Sequence, residues 1–147
     1  LGTGCELAIS CDLAIADPSA HFGQPEVLNG APTPIQGALL PQIVGLGRAR
    51  WLAHTGRMID AATALDWGML AELSAPGEAL AAARTLAAEL ARDVHPVSMK
   101  LQKRIVDSWI RQPFDAAVSG SMYITSSAYN SGWPQSAANR SRERAKQ

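Results

Sequence analysis

Two glutamates near the start of the chain, Glu6 and Glu26, have the type and the setting that could do chemistry. Each follows a glycine-bearing turn, and a short apolar unit of helix and strand separates the two. A reaction that adds water across a double bond must deliver a hydroxide and a proton, and two carboxyl groups can share that work as base and acid. The pair therefore predicts two carboxyls that converge on one cleft, less than about 10 Å apart.

The turn before Glu6 adds a second possible catalytic element. Gly2 and Gly4 flank Thr3, and an apolar run follows directly, which predicts a helix that starts at this turn. The free N–H groups at a helix start favour negative charge, as does the helix dipole. They could hold an oxyanion if the substrate has a carbonyl group beside the double bond.

Both glutamates also have structural interpretations. Thr3 and Glu6 have the spacing of a capping box, in which two side chains bond to backbone N–H groups at a helix start. Glu26 lies next to Pro25 in a turn, where a carboxylate is usually exposed and solvated. Each local pattern taken alone favours the structural interpretation, whereas the presence of both glutamates favours catalysis.

The elements that must position this pair are short and alternate between helix and strand. The sequence predicts helices over 4–11, 35–44, 47–55 and 61–67, and strands or extended pieces over 13–16, 21–23 and 69–73. Pro41 is expected to kink the second helix or restart it at its first turn, and Asp60 to cap the fourth. This alternation indicates an α/β layer rather than a helix bundle.

A helical region follows the turn at Pro76-Gly77. Apolar residues recur at helical spacing after this turn, and a stripe of Leu101, Ile105 and Trp109 is typical of a core or a subunit contact. Pro113 is expected to start a further helix. The basic tail, Arg140, Arg142, Arg144 and Lys146 with Glu143, is interpreted as a solvated helix end, with a phosphate contact as the alternative.

Composition excludes several classes of function. With 147 residues, 47% hydrophobic and 18% charged, and zero net charge, the chain offers no electrostatic case for nucleic acid or an acidic membrane. No run approaches the roughly 18 apolar residues of a membrane span. On one helix Cys5 and Cys11 would lie roughly 9 Å apart, too far for a disulfide, which favours a reducing, cytoplasmic setting. The three histidines lack metal-ligand spacing, so no metal is expected.

Three consecutive motifs resemble the enoyl-CoA hydratase/isomerase, or crotonase, superfamily. They are Leu-Gly-Thr-Gly-Cys-Glu-Leu-Ala at 1–8, Cys-Asp-Leu-Ala-Ile-Ala at 11–16 and Phe-Gly-Gln-Pro-Glu-Val at 22–27. The match continues nearly to residue 75. The resemblance implies an α/β crotonase-like spiral of ββα turns, with residues 1–75 as the C-terminal part of the core spiral and 76–147 as a helical oligomerisation region.

The same resemblance implies a role for each site residue. Glu6 looks like the base that orients the attacking water, Glu26 like the acid that protonates the carbon next to the thioester, and the Thr3 N–H like one of two oxyanion donors. Family members that only shift double bonds tend to keep just the second glutamate, so retention of both implies hydration of a 2-enoyl-CoA in fatty-acid or related acyl-CoA catabolism. Coenzyme A would enter as part of the substrate, without a separate cofactor. The implied substrate-binding residues are Gly4, Gly23, Pro25, Asn29 and Gly30.

Two departures from the family's pattern bear on the substrate. Thr3 stands where the family usually has glycine, and its Cβ restricts φ and crowds a ligand. The usual Gly-Gly run after the second glutamate is replaced by residues 29–37, a loop expected to shape the acyl pocket.

The resemblance also concerns what lies beyond this sequence. It implies a missing N-terminal half with the other oxyanion donor and much of the coenzyme A site, so we expect residues 1–147 alone to be inactive and to associate. The complete protein is expected to form a homo-trimer or hexamer. Two alternatives stay open: an isomerase or other crotonase reaction on an acyl-CoA, and a catalytically silent fragment or assembly subunit.

Overall fold

The structure is a computed structural model that describes residues 1–33, 35–130, 132, 134–136 and 138–139. The chain separates into two compact units, Leu1–Leu86 and Ala87–Gln147. The basic tail considered above lies outside the described residues.

Short helices and strands alternate in the first unit, and longer helices follow. The helices are α1 Thr3–Ser10, α2 Leu40–Val44, α3 Leu46–Thr55, α4 Ala61–Asp66, α5 Ala79–Asp93, α6 Pro96–Arg111 and α7 Phe114–Tyr129. The strands are β1 Ile15–Ala16, β2 His21–Gly23, β3 Met58–Asp60 and β4 Glu72–Leu73. Two 3-10 helices, Pro25–Asn29 and Ile35–Leu39, connect β2 to α2.

Two small ladders hold the first unit together. β1 and β4 run parallel, with Ile15 opposite Glu72. β2 and β3 run antiparallel, with Phe22 opposite Ile59 and Gly23 opposite Met58. Because β2 leads directly into the first 3-10 helix, its pairing with β3 fixes the direction in which the chain approaches Glu26.

A single apolar core lies beneath these ladders. Each helix of the first unit up to α4 contributes one buried face, which is the burial that amphipathic helices need for stability. The core residues are Cys5, Ile9, Ala16, Phe22, Leu40, Val44, Ala49, Leu52, Ile59, Ala61, Ala64, Met69 and Leu70. Leu40 and Leu52 are among its largest fully buried side chains.

Several predicted boundaries agree with the structure. Pro41 lies in the first turn of α2, so the helix restarts there after a 3-10 segment. The Asp60 carboxylate accepts a hydrogen bond from the Thr63 N–H at 2.8 Å and caps α4. Gly56 ends α3 in the left-handed conformation, at φ 63°.

The strands predicted over 13–16 and 69–73 were too long. Only two residues of each pair in a ladder, and Leu13 is 52% exposed rather than buried. Met69 and Leu70 are buried in the core but precede β4. Burying an apolar side chain does not require its backbone to join a ladder. The apolar run over 69–73 therefore predicted burial correctly at Met69 and Leu70, whereas strand pairing begins only at Glu72.

In the second unit α6 packs against α7, and Ile105, Ser108 and Ala117 are buried there. Trp109, which the predicted stripe placed beside Ile105, is 60% exposed at a groove between the two helices. None of the helices in the described part of the chain combines the length and the apolar character needed to cross a bilayer.

We expect Gly23→Ala to destabilise the first unit by about 1–3 kcal/mol, the usual cost of overpacking. A Cβ at this position would lie 2.8 Å from the Arg57 carbonyl oxygen and 3.2 Å from the Met58 Cα, so the β2–β3 ladder would have to open. The measurement is urea unfolding, with Gly47→Ala as the matched control.

Gly47 lies in α3 with open space around its Cβ position, so alanine there should be neutral or stabilising by up to about 1 kcal/mol. Equal unfolding midpoints for the two variants would contradict the close packing of β2 against β3.

Candidate functional site

Gly2 connects the start of α1 to the end of β2. Its N–H donates to the Gly23 carbonyl oxygen at 2.9 Å, and its own carbonyl oxygen accepts from the Glu6 N–H at 2.9 Å. With φ 55° and ψ −130° the residue is in a conformation that L side chains rarely adopt. The glycine therefore lets the chain turn directly from the strand contact into the helix that carries Glu6.

The capping-box hypothesis for Thr3 and Glu6 is wrong. Gly2 is the N-cap of α1, and no side-chain hydrogen bond from the described residues caps this end of the helix. Thr3 is already the first helical residue. The left-handed turn at Gly2 starts the helix one residue earlier than the box requires. As the first helical residue, Thr3 presents an N–H that has no acceptor within the helix, and its side chain is exposed.

Within the described part of the chain, one oxygen of the Glu6 carboxylate is buried without the hydrogen-bond partner that burial normally demands. The residue is 3% exposed, and its Oε1 has no hydrogen-bond partner among the described residues. Leaving such an acceptor unsatisfied costs about 1–3 kcal/mol, more for a charged group. A buried acceptor of this kind is well suited to a water or a substrate group that binds there.

Glu26 lies in the first 3-10 helix and is partly buried. Its carboxylate faces the start of α1, because a Cβ on Gly2 would lie 2.7 Å from Glu26 Oε1. Gln24 is fully buried beside it. With its amide nitrogen facing Glu26, Gln24 donates to Oε2 at 3.1 Å and to Oε1 at 3.2 Å.

Both carboxylates influence the pKa of the Cys5 thiol. Its thiol is 1% exposed, and burial is the largest influence that raises its pKa. The Gly23 N–H bonds to the sulfur and lowers the pKa, whereas the charges of Glu26 and Glu6 both raise it. One buried side chain thus lies within electrostatic range of both glutamates, although they belong to different elements.

The predicted substrate-binding residues fall on the elements around the pair. Gly4 is the second residue of α1, with open space at its Cβ position, and Gly23 ends β2. Pro25 begins the first 3-10 helix, whose other end is formed by the exposed Asn29 and by Gly30 at φ 76°. Their contact with substrate stays a prediction.

Gln24 and Cys5 are the site residues that the sequence did not single out. A glutamine directly before Pro-Glu could have signalled a partner for the carboxylate, because a buried amide must find hydrogen bonds. Cys5 carried no such signal, since its position near both glutamates depends on the contact between Gly2 and Gly23 in the folded chain. Among the described residues, no three His, Cys, Asp or Glu side chains are grouped as metal ligands.

We expect Glu6→Gln and Glu26→Gln each to lower the pKa of Cys5, because each removes a negative charge that disfavours the thiolate. Burial should still hold the pKa above that of a free cysteine. The measurement is an NMR titration of isotope-labelled cysteine in a Cys11→Ser background, with Cys5→Ser to assign the signal.

Glu72→Gln is the control, because this exposed carboxylate on β4 is not among the charges that shift Cys5. A Cys5 pKa that is the same in the control and in both site variants would show that the carboxylates do not face the thiol.

Comparison with known proteins agrees with this geometry. Residues 1–129 match the family model for enoyl-CoA hydratase/isomerase. The chain is 36% identical over 120 residues to a short-chain-enoyl-CoA hydratase of Clostridium acetobutylicum, covering 81% of this chain and 46% of the relative. It is 34% identical over 120 residues to a crotonyl-CoA hydratase of Syntrophomonas wolfei, with the same two coverages. The chain spans less than half the length of these relatives.

Solved structures give the same answer for the fold. The crystal structure of enoyl-CoA hydratase EchA1 from Mycobacterium marinum superimposes with a TM-score of 0.88 at 31% identity, covering 97% of this chain and 59% of that one. Enoyl-CoA hydratase from Thermoplasma volcanium gives 0.78 at 28% identity, with coverages of 88% and 51%. The α/β crotonase-like fold with C-terminal helices is confirmed, and the chain belongs to the enoyl-CoA hydratase/isomerase family.

Proposed function

We propose that the full-length protein adds water across the double bond of a 2-enoyl-CoA thioester. The observation that carries this proposal is the buried Glu6 carboxylate, whose Oε1 is left without a partner among the described residues. An isomerisation needs no water site, whereas a hydration needs an acceptor that holds and orients a water. In this proposal Glu6 serves as that acceptor.

The two carboxylates divide the proton transfers between them. Glu6 accepts a proton from the water as the water oxygen bonds to C3 and the π bond between C2 and C3 breaks. Glu26, in its protonated form, delivers a proton to C2 and becomes a carboxylate, and exchange between the two carboxyls and solvent then restores both groups. The net change is one water added, with no oxidant or reductant consumed.

The start of α1 supplies electrostatic stabilisation in this proposal. As C3 is attacked, negative charge moves to the thioester oxygen, and the Thr3 N–H at the first position of α1 donates to it. Removing one such donor typically costs about 3–4 kcal/mol. The second donor and much of the coenzyme A site would lie in the part of the relatives that this chain does not cover.

The named relatives support hydration over the alternatives. Two of them are described as hydratases of short-chain enoyl-CoA and crotonyl-CoA. Coenzyme A would then be part of the substrate rather than a cofactor. The acyl chain is left open, because residues 29–37 depart from the family's usual loop.

We also propose a homo-trimer or a pair of trimers for the full-length protein. The support is the apolar surface of the second unit, where Phe114, Met122 and Tyr123 are 80%, 68% and 80% exposed. Apolar patches of this kind commonly mark interaction sites. Light scattering after size-exclusion chromatography of the full-length protein measures the assembly directly.

In the full-length protein we expect Glu6→Gln and Glu26→Gln each to reduce hydration of a short 2-enoyl-CoA by at least about a hundredfold, the usual scale for a positioned acid or base. The two should differ in a second assay, the exchange of the C2 proton of a saturated acyl-CoA with solvent. Exchange should survive in Glu6→Gln and be lost in Glu26→Gln, because only Glu26 serves C2.

Glu72→Gln is the control for both assays, and circular dichroism checks folding. Rapid hydration by well-folded Glu6→Gln would reduce Glu6 to a structural residue. Double-bond migration without hydration in the wild type would favour an isomerase. Inactivity in every assay would favour a silent assembly subunit.

A further inference from the structure

A second buried polar atom lies without a partner near Glu6. The Thr33 hydroxyl, in the loop between the two 3-10 helices, has no hydrogen-bond partner among the described residues. Buried hydroxyls are normally satisfied by protein or by ordered water. Two such atoms in one region of the first unit therefore point to a group that both of them bind.

Gly37 lies next to both Thr33 and Glu6. A Cβ at Gly37 would lie 2.6 Å from the Thr33 methyl carbon and 3.7 Å from Glu6 Oε1. The threonine and the glutamate thus border the same bare glycine in the second 3-10 helix, which packs against α1. A side chain at position 37 would collide with the Thr33 methyl group and come into contact with Glu6 Oε1.

The chemistry of the two groups is complementary for water. A carboxylate oxygen only accepts hydrogen bonds, whereas a hydroxyl both donates and accepts. A water between them can donate to Glu6 Oε1 and accept from the Thr33 hydroxyl. A buried water needs 2–4 such polar partners.

We propose that Thr33 is a second polar group of the water site, with its hydroxyl donating to the oxygen of the water that Glu6 activates. This inference rests on the proposed hydration. The hydrogen bond from Thr33 occupies one lone pair of the water and Glu6 holds one of its protons, so the other lone pair is aimed at C3. No bond to Thr33 forms or breaks, and its role is to orient the nucleophile.

The test compares Thr33→Val with Thr33→Ser in the full-length protein. Valine keeps a methyl group beside Gly37 and removes the hydroxyl, whereas serine keeps the hydroxyl and removes the methyl group. We expect valine to lower kcat for hydration roughly tenfold, the value of one ordinary hydrogen bond, with KM unchanged. Serine should retain most of the rate.

Two further measurements separate a water-binding role from a structural one. C2-proton exchange should be unchanged in Thr33→Val, because that reaction uses Glu26 and no attacking water. A high-resolution crystal structure of the wild type should show a water within hydrogen-bond distance of Thr33 Oγ1 and Glu6 Oε1, and the valine variant should lack it.

The outcomes distinguish this inference from the proposed function. If the wild type hydrates and Glu6→Gln abolishes the rate while Thr33→Val leaves kcat intact, the Thr33 assignment fails alone. Equal loss of hydration and exchange in Thr33→Val, or a Thr33 hydroxyl bonded to protein in the crystal, also overturns it. A wild type that hydrates no enoyl-CoA removes both proposals together.

Discussion

The left-handed turn at Gly2 is the constraint on which the site depends. The Gly2 N–H joins the end of β2 through Gly23, and the Gly2 carbonyl begins the helix that carries Glu6. Its missing side chain leaves space for the Glu26 carboxylate, which a Cβ would approach to 2.7 Å. An L residue here would be strained at φ 55°, and its Cβ would collide with that carboxylate. One residue thus couples the elements that carry the two glutamates.

In the described part of the chain, the site contains buried polar atoms without hydrogen-bond partners, and the rest of the first unit must offset their free-energy cost. Glu6 Oε1 and Thr33 Oγ1 are buried without partners among the described residues, each at a cost of about 1–3 kcal/mol. The apolar core beneath the ladders, centred on side chains such as Leu40 and Leu52, supplies the opposing stabilisation. Natural proteins accept such violations mainly where function requires them. A carboxylate with one unsatisfied buried oxygen is therefore better explained by ligand binding than by stability.

The sequence predicted the helices of the first unit because helices depend mainly on local pattern. Gly56 and Asp60 ended and began their helices as predicted, since caps and glycine stops act within one turn. The capping box failed because the strand contact at Gly23, a tertiary interaction, moved the helix start to Gly2. Strand lengths failed for a similar reason: each ladder is limited by its distant partner. The roles of Gln24 and Thr33 appear only once the chain is folded.

In the proposed reaction Glu6 and Glu26 serve the two carbons of one double bond. The most direct measurement is a crystal structure of the full-length protein with an unreactive acyl-CoA thioester bound. The account predicts both carboxylates within about 4 Å of the C2–C3 bond, directly or through one water, and the Thr3 N–H about 3 Å from the thioester oxygen. A bound thioester whose carbonyl lies away from the start of α1, with Glu6 paired to a protein group, would contradict it.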